Sequence, residues 1–357
     1  SGFQEQIGIP LAIRDSKHSI SERLIKLMKG FIVYPDEQKH WQPFGVETGY
    51  KLLQKEKFDA LISSAGPVTA HLIAKELKER SGIPWIADFR DLWTQNHYYQ
   101  YGMFRRRIER RLELKTLAKA DALVTVSEPL AKKLGSLHYG KRVFVIPNGF
   151  DPDDVKSAPL TKKFTITYTG QLYQGKRDPE SLLRALYEMI GEGEIEKDTI
   201  EVRFFGPLQY WLDQEIKRYR LEEVVRQQGV VPREVALEKQ RESQILLLLN
   251  WDDPDECGVY TGKIFEYLAA KRPILALGGP DGVVSQLLQE TGAGVHIKNV
   301  DALKQFLRNC YEEYQATGQV RYYGKEEQIE KYSHREMSRK FAEVLSEVQD
   351  KLAENHE

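Results

Sequence analysis

The 357-residue chain carries 52 basic and 53 acidic residues, so no net positive field marks it as a dedicated nucleic-acid binder, and its length allows one to three domains around a large core. Cys257 and Cys310 are too few for a disulfide framework or a cysteine-based metal site, which fits a reducing, cytoplasmic compartment. No apolar run nears the roughly 20 residues that span a bilayer, and the opening SGFQEQIGIPLAIRD has no signal-peptide pattern.

In chain order, helical patterns around Ser21–Gly30 and Phe44–Glu56 flank a Pro35-Asp36 turn. Doubly wound domains generally open with a strand and a glycine-rich turn. Residues 1–20 show neither, so the first domain is expected to be short at its amino end. Short β-branched runs then alternate with helical patterns: strand Asp59–Ser63, helix Val68–Arg80, strand Trp85–Asp88, long helix Phe104–Ala120, strand Ala122–Val126, short helix Pro129–Leu134, strand Val143–Ile146. A polar stretch from Pro147 to about Lys163 reads as a linker. A second series follows, with strands at Phe164–Thr169, Ile200–Phe205, Gly229–Val231, Ile245–Leu249, Ile274–Leu277 and Gly294–Ile297. Helices are expected near Pro179–Ile190 and Tyr210–Tyr219. Ser333–Ala353 reads as an amphipathic helix with Met337, Phe341, Val344, Leu345 and Val348 on one side. Such alternation predicts an α/β protein of two doubly wound, Rossmann-like domains. Their ligand cleft is expected between them, outside the carboxyl ends of the strands.

The densest chemistry lies in Asp255–Pro273, DECGVYTGKIFEYLAAKRP, between two apolar strands. An irregular loop with Gly258, Thr261, Gly262 and Lys263 opens a helix carrying Glu266. Backbone N–H groups at a helix start, reinforced by a lysine, favour phosphate oxygens, and a carboxylate one turn on can hold hydroxyls. Phe104–Lys119 combines Arg105, Arg106, Arg107, Arg110, Arg111 and Lys115 with Phe104, Ile108 and Leu112 at intervals of four. That pattern predicts an amphipathic helix with a cationic face, suited to anionic lipids or simply to solvent. His71, early in a helix, and His97, in the aromatic loop 96–101, fit structural roles as well as ligand contacts. Ser127 is placed to cap a helix.

Several segments together resemble bacterial family 4 (group 1) glycosyltransferases. PDEQKHW at 35–41, SSAGPVTAHLIAKEL at 63–77, GIPWIADFRDLW at 82–93, ADALVTVSEPLAKKL at 120–134 and IPNGFD at 146–151 are similar to the family's first domain. TYTGQLY at 167–173, FFGP at 204–207 and TGKIFEYLAAKRPILAL at 261–277 are similar to its donor-binding domain. The resemblance implies a GT-B fold and a retaining transferase that uses a nucleotide-sugar donor, with no metal or other cofactor. It implies a glycan or lipid-linked acceptor, and places the enzyme in the cytoplasm or at the inner membrane face. The implied organisation is an acceptor-side domain at 1–156, a donor domain at 157–331 and a closing helix at 332–357.

Carried over by position, Glu266 is the ribose-binding glutamate and Lys263 a diphosphate contact, with Thr261 and Gly262 beside them. Gly258 stands where the family's other glutamate is expected, leaving Asp255 and Glu256 as replacements or as solvated loop carboxylates. Gly170 lets the backbone approach the donor. Gln171 stands where an arginine is common, leaving Lys176 and Arg177 for the diphosphate or for solvent. Asp88, Arg90 and Asp91 are candidates close to the transferred sugar, or else a structural ion-pair cluster. The same features fit two rivals: a nucleotide-sugar epimerase on this fold, and a non-catalytic sugar-nucleotide-binding or assembly protein.

Overall fold

The computed structural model describes residues 33–99 and 101–354. The helix expected around Ser21–Gly30, and the opening of the first domain, lie outside the described residues. The chain divides into two compact units, one running to Pro147 and resuming at Ser338, the other spanning Asn148–Met337.

In the first unit, helices α1 (Gln42–Lys55) and α2 (Thr69–Ser81) flank strand β1 (Leu61–Ser64). There follow β2 (Trp85–Phe89), α3 (Met103–Leu117), β3 (Ala122–Thr125), α4 (Glu128–Leu137) and β4 (Val143–Val145). The strands form a parallel sheet in the order β1-β2-β3-β4, with Leu61 opposite Trp85 and Ile86 opposite Ala122. β2 and β3 are buried along their whole length, as strands covered on both faces must be. Ser127 caps α4 as expected, its hydroxyl accepting from the Leu130 N–H.

The second unit carries β5 (Phe164–Thr169), α5 (Glu180–Gly191), β6 (Ile200–Phe205), α6 (Tyr210–Arg218), β7 (Val225–Gly229) and α7 (Arg233–Arg241). It continues with β8 (Ile245–Leu249), α8 (Lys263–Ala270), β9 (Ile274–Leu277), α9 (Val283–Thr291), β10 (Gly294–Ile297), α10 (Val300–Thr317) and α11 (Glu326–Glu330). Its sheet is wholly parallel, in the order β10-β9-β8-β5-β6-β7. Strand order therefore reverses between β5 and β8. The closing helix α12 (His334–Glu354) buries Val344 and Val348.

Two expectations are corrected. The strand placed at Gly229–Val231 is instead Val225–Gly229, whose sequence VRQQG buries only Val225 and alternates exposed with partly exposed residues after it, as the last strand of the sheet. The more apolar Val230-Val231 pair follows it as irregular chain, with Val230 exposed. On α3 the expected apolar row is not the buried face. Arg105, Glu109 and Glu113 are buried, whereas Phe104 is 69% exposed. The reason is polar pairing from the preceding loop. Trp93 Nε1 donates to Glu109 at 3.2 Å, the Thr94 N–H donates to Glu113 at 3.2 Å, and Arg105 pairs with Glu109 one turn away. Buried charges persist when every oxygen and N–H has such a partner. Arg107, Arg110, Arg111 and Lys115 are left on the outer face with Met103 and Phe104.

Candidate functional site

In an open parallel sheet, ligands bind beyond the carboxyl ends of the strands where strand order reverses. In the second unit that point lies between β5, which ends at Thr169-Gly170, and β8, which ends at Leu249-Asn250. Gly170 has φ +119°, a conformation open to glycine, and its N–H is bonded to Phe205 O at 2.7 Å. A Cβ there would lie 2.8 Å from Lys263 Nζ, so the missing side chain is what admits the ammonium.

Lys263 is the first residue of α8, after Gly262 at the cap. A cation at a helix start opposes the helix dipole, and protein groups compensate it only in part. Nζ donates to Tyr168 Oη at 2.7 Å and lies 4.1 Å from the centre of that ring. Burial first, and nearby Arg177 second, pull the Lys263 pKa down to about 7, with Glu266 opposing the shift. Although the residue is only half-buried by surface area, its charged end is enclosed by Gly170 and Tyr168. An ammonium beside a glycine turn and a helix start is a candidate site for an anion.

Glu266 stands one turn further along α8. Its Oε2 accepts from Gln240 Nε2 at 3.2 Å, and its Oε1 lies 3.9 Å from Arg233 Nε. The tight turn Tyr173–Arg177 presents the other cations: Lys176 Nζ lies 3.9 Å over the ring of Trp251, just past β8, and Arg177 lies over Tyr173. The structure thus gathers Gly170, Arg177, Lys263 and Glu266 around one strand end, with Lys176 tied to the other strand of the reversal. Thr261 is buried in the turn before α8, and its Oγ1 has no hydrogen-bond partner among the described residues.

Asp255, Glu256 and Gly258 lie in a 3-10 turn, Pro254–Gly258. Asp255 is exposed, while Glu256 and Gly258 are buried. This turn packs on the start of α9, where a Cβ on Gly282 would lie 2.2 Å from Cys257 O. Glu256 lines a small crevice there with Asn250, Pro280 and Val283, a different set of neighbours from those of Glu266.

In the first unit, Asp88 is the next-to-last residue of β2 and is almost fully buried. Both its oxygens lie 2.9 Å from Arg90 Nε, and Ser64 donates to Oδ2 at 2.8 Å. Arg90 also donates to Ile146 O at 3.1 Å and packs against Phe341 of α12. Asp88 and Arg90 therefore hold one another, and Asp91 is exposed beside them. His71 is fully buried. Its Nδ1 meets Ser63 Oγ at 2.7 Å, the Phe89 ring packs against it tilted by 42°, and burial drives its pKa down to about 3. It is a core residue.

Tyr168, Gln240, Arg233 and Trp251 lie beside these residues; Tyr168 falls in the TYTGQLY segment, and the other three carry no motif in the sequence. Each meets its partner only through the sheet, at separations of tens of residues. The GKR turn at 175–177 and the Thr-Gly-Lys start are the legible elements.

Two α/β units, each built on a parallel sheet, are the hallmarks of a GT-B protein. Residues 14–154 match the model of Glycosyltransferase Family 4. No curated protein matches the sequence. Among solved structures, HepE of Anabaena in complex with UDP and glucose is 15% identical and covers 85% of this chain and 80% of its own, with a TM-score of 0.62. A glycosyltransferase from Rickettsia africae is 16% identical over 85% of this chain and 80% of that one, with a TM-score of 0.60. The pneumococcal O-GlcNAc transferase GtfA, solved with UDP and GlcNAc, is 15% identical over 86% and 60%, with a TM-score of 0.56. At these identities the likeness shows the fold.

Proposed function

We propose that this chain is a nucleotide-sugar-dependent glycosyltransferase that moves a sugar to a glycan or lipid-linked acceptor, with retention, in cell-surface polysaccharide synthesis. One observation carries the reading. Lys263 Nζ is seated against the Gly170 turn, with Glu266 a turn along the same helix, at the strand reversal of the second unit. UDP in the similar HepE and GtfA structures supports the donor class.

Residues 157–331 take the donor and residues 1–156 the acceptor, with Asp88, Arg90 and Asp91 as the acceptor side's candidates near the transferred sugar. Lys263, Lys176 and Arg177 supply positive charge to the departing diphosphate, a task otherwise given to a metal, so the reading includes no metal or other cofactor. The acceptor oxygen bonds to the anomeric carbon on the face from which the diphosphate leaves. The bond from that carbon to the phosphate oxygen breaks, and the hydroxyl proton passes to the departing phosphate. Residence in the cytoplasm, with peripheral contact between the outer face of α3 and anionic lipid, completes the proposal.

Calorimetric titration with UDP, GDP and ADP tests the site. At least one should bind the wild type, and Lys263→Ala and Glu266→Ala should each weaken it by about tenfold or more. Unchanged affinity in both variants refutes the assignment. Product analysis then tests the reaction: a sugar product that forms only with acceptor supports transfer, whereas a new sugar nucleotide from donor alone means epimerisation.

A further inference from the structure

The Gln240 side chain is fully buried in α7, yet it reaches two elements of the donor site at once. Its Nε2 donates to Thr169 Oγ1 at 2.9 Å, one residue before the Gly170 turn, and to Glu266 Oε2 at 3.2 Å. Thr169 is itself fastened to α8, its N–H donating to Tyr267 Oη at 3.1 Å, and that hydroxyl donates to Leu247 O at 3.1 Å. The amide is therefore braced from the sheet side before it meets the carboxylate. Gln240 Oε1 is buried and has no hydrogen-bond partner among the described residues.

A buried amide with an unmatched oxygen is costly, and a leucine or methionine would fill the same volume without that cost. Packing alone does not account for a glutamine here; its two N–H bonds do. Glutamate has three side-chain torsions, and a half-exposed carboxylate samples many of them. Pinning Oε2 from below leaves Oε1 turned toward Arg233 and available to a ligand.

Resting on the donor-site reading above, we infer that Gln240 is a positioning residue that holds Glu266 for the vicinal hydroxyls of a ribose, and so sets discrimination between ribonucleotides and deoxyribonucleotides. Arg233 is a weaker restraint. It is 58% exposed, its contact to Glu266 is long, and its Nη2 is engaged by Asp154 at 2.9 Å.

The test is a ligand-by-mutation cycle. Affinities for UDP and 2′,3′-dideoxy-UDP (or the GDP or ADP pair, whichever base binds) are measured for wild type, Gln240→Met, Gln240→Leu, Glu266→Ala and Gln240→Met/Glu266→Ala. Wild type should prefer the ribonucleotide by about 10- to 100-fold, the range of a charge-assisted hydrogen bond. Gln240→Met should remove most of that preference by weakening UDP alone, and should change nothing further in the Glu266→Ala background. Equal weakening of both ligands, or an undiminished preference in Gln240→Met and Gln240→Leu, overturns the inference and leaves the donor site standing. Binding of both ligands by wild type without preference does the same. If wild type binds none of the three ribonucleoside diphosphates, the donor-site reading falls and this inference falls with it.

Discussion

Raising the pH through the titration of Lys263 should weaken nucleoside diphosphate binding, by an amount that follows from its surroundings. Three groups act on this ammonium: the Tyr168 hydroxyl and ring below it, Arg177, which lowers its pKa, and Glu266, which raises it. With the pKa at about 7, half the lysine is charged at pH 7 and about one hundredth at pH 9. A diphosphate binds the ammonium form and holds its proton, so the dissociation constant should rise by about 50-fold from pH 7 to pH 9, about 2.3 kcal/mol. The ligand's own last phosphate proton leaves near pH 6, about a unit too low to produce this slope. The fold itself should respond in the opposite sense. Between about 7 and the ordinary lysine value of 10.5, the unfolded chain binds the extra proton, so this group makes stability rise with pH. Calorimetry in buffers of different ionisation enthalpy should count close to one proton taken up per diphosphate at pH 8.5. Lys263→Met should flatten the profile. A change under about twofold between pH 7 and 9, or the same slope in Lys263→Met, would refute the reasoning.

Further outcomes follow from single positions. Gly170→Ala places a methyl 2.8 Å from Lys263 Nζ at a left-handed φ; it should weaken diphosphate binding by about tenfold or more while melting falls only slightly, as read by calorimetry and thermal unfolding. His71, held neutral by burial, lets the unfolded chain bind a proton that the folded chain refuses between about pH 6.5 and 3. Stability of the wild type should thus fall with acid by up to about 1.4 kcal/mol per pH unit more than in His71→Gln, measured by urea unfolding across pH 4–6.5. The outer face of α3 should attach to vesicles containing phosphatidylserine and release in high salt. Arg107→Ser/Arg110→Ser/Arg111→Ser should lose the binding, and equal sedimentation with neutral vesicles would count against a lipid role.

The features of this molecule legible in the sequence share a physical origin. Ile245–Leu249 and Ile274–Leu277 are readable because a strand covered on both faces is apolar throughout, and both are wholly buried. Lys263, Glu266 and Gly170 are readable because their roles depend on local geometry, a helix start and a turn. Val225–Gly229 is not, since a strand at the end of a sheet needs no apolar run. The orientation of α3 is not readable either. Apolar spacing points one way, but Trp93 and Thr94 supply hydrogen bonds that only the fold brings to Glu109 and Glu113. Gln240 has no signal at all: its partners Thr169 and Glu266 are 71 and 26 residues away, and nothing in α7 distinguishes it from a solvated glutamine.

The departures from the family pattern take on a physical meaning at the same site. Gln171 replaces an expected arginine, and its backbone O accepts the Tyr168 hydroxyl proton at 2.7 Å, while that same hydroxyl oxygen accepts from Lys263. The tyrosine thus holds the Lys263 ammonium through an uncharged oxygen, and Glu266 is the carboxylate that favours the charged form. Lys176 on Trp251 and Arg177 on Tyr173 follow the same rule. Aromatic faces attract a cation by about 0.5–2 kcal/mol, less than a desolvated phosphate does, so each cation can be redirected at modest cost. On the proposed reading, the three basic side chains resting on aromatic rings at this strand reversal give their charge to an anionic ligand, Lys263 regaining its full charge as that ligand binds. A carboxylate partner would have spent it within the protein.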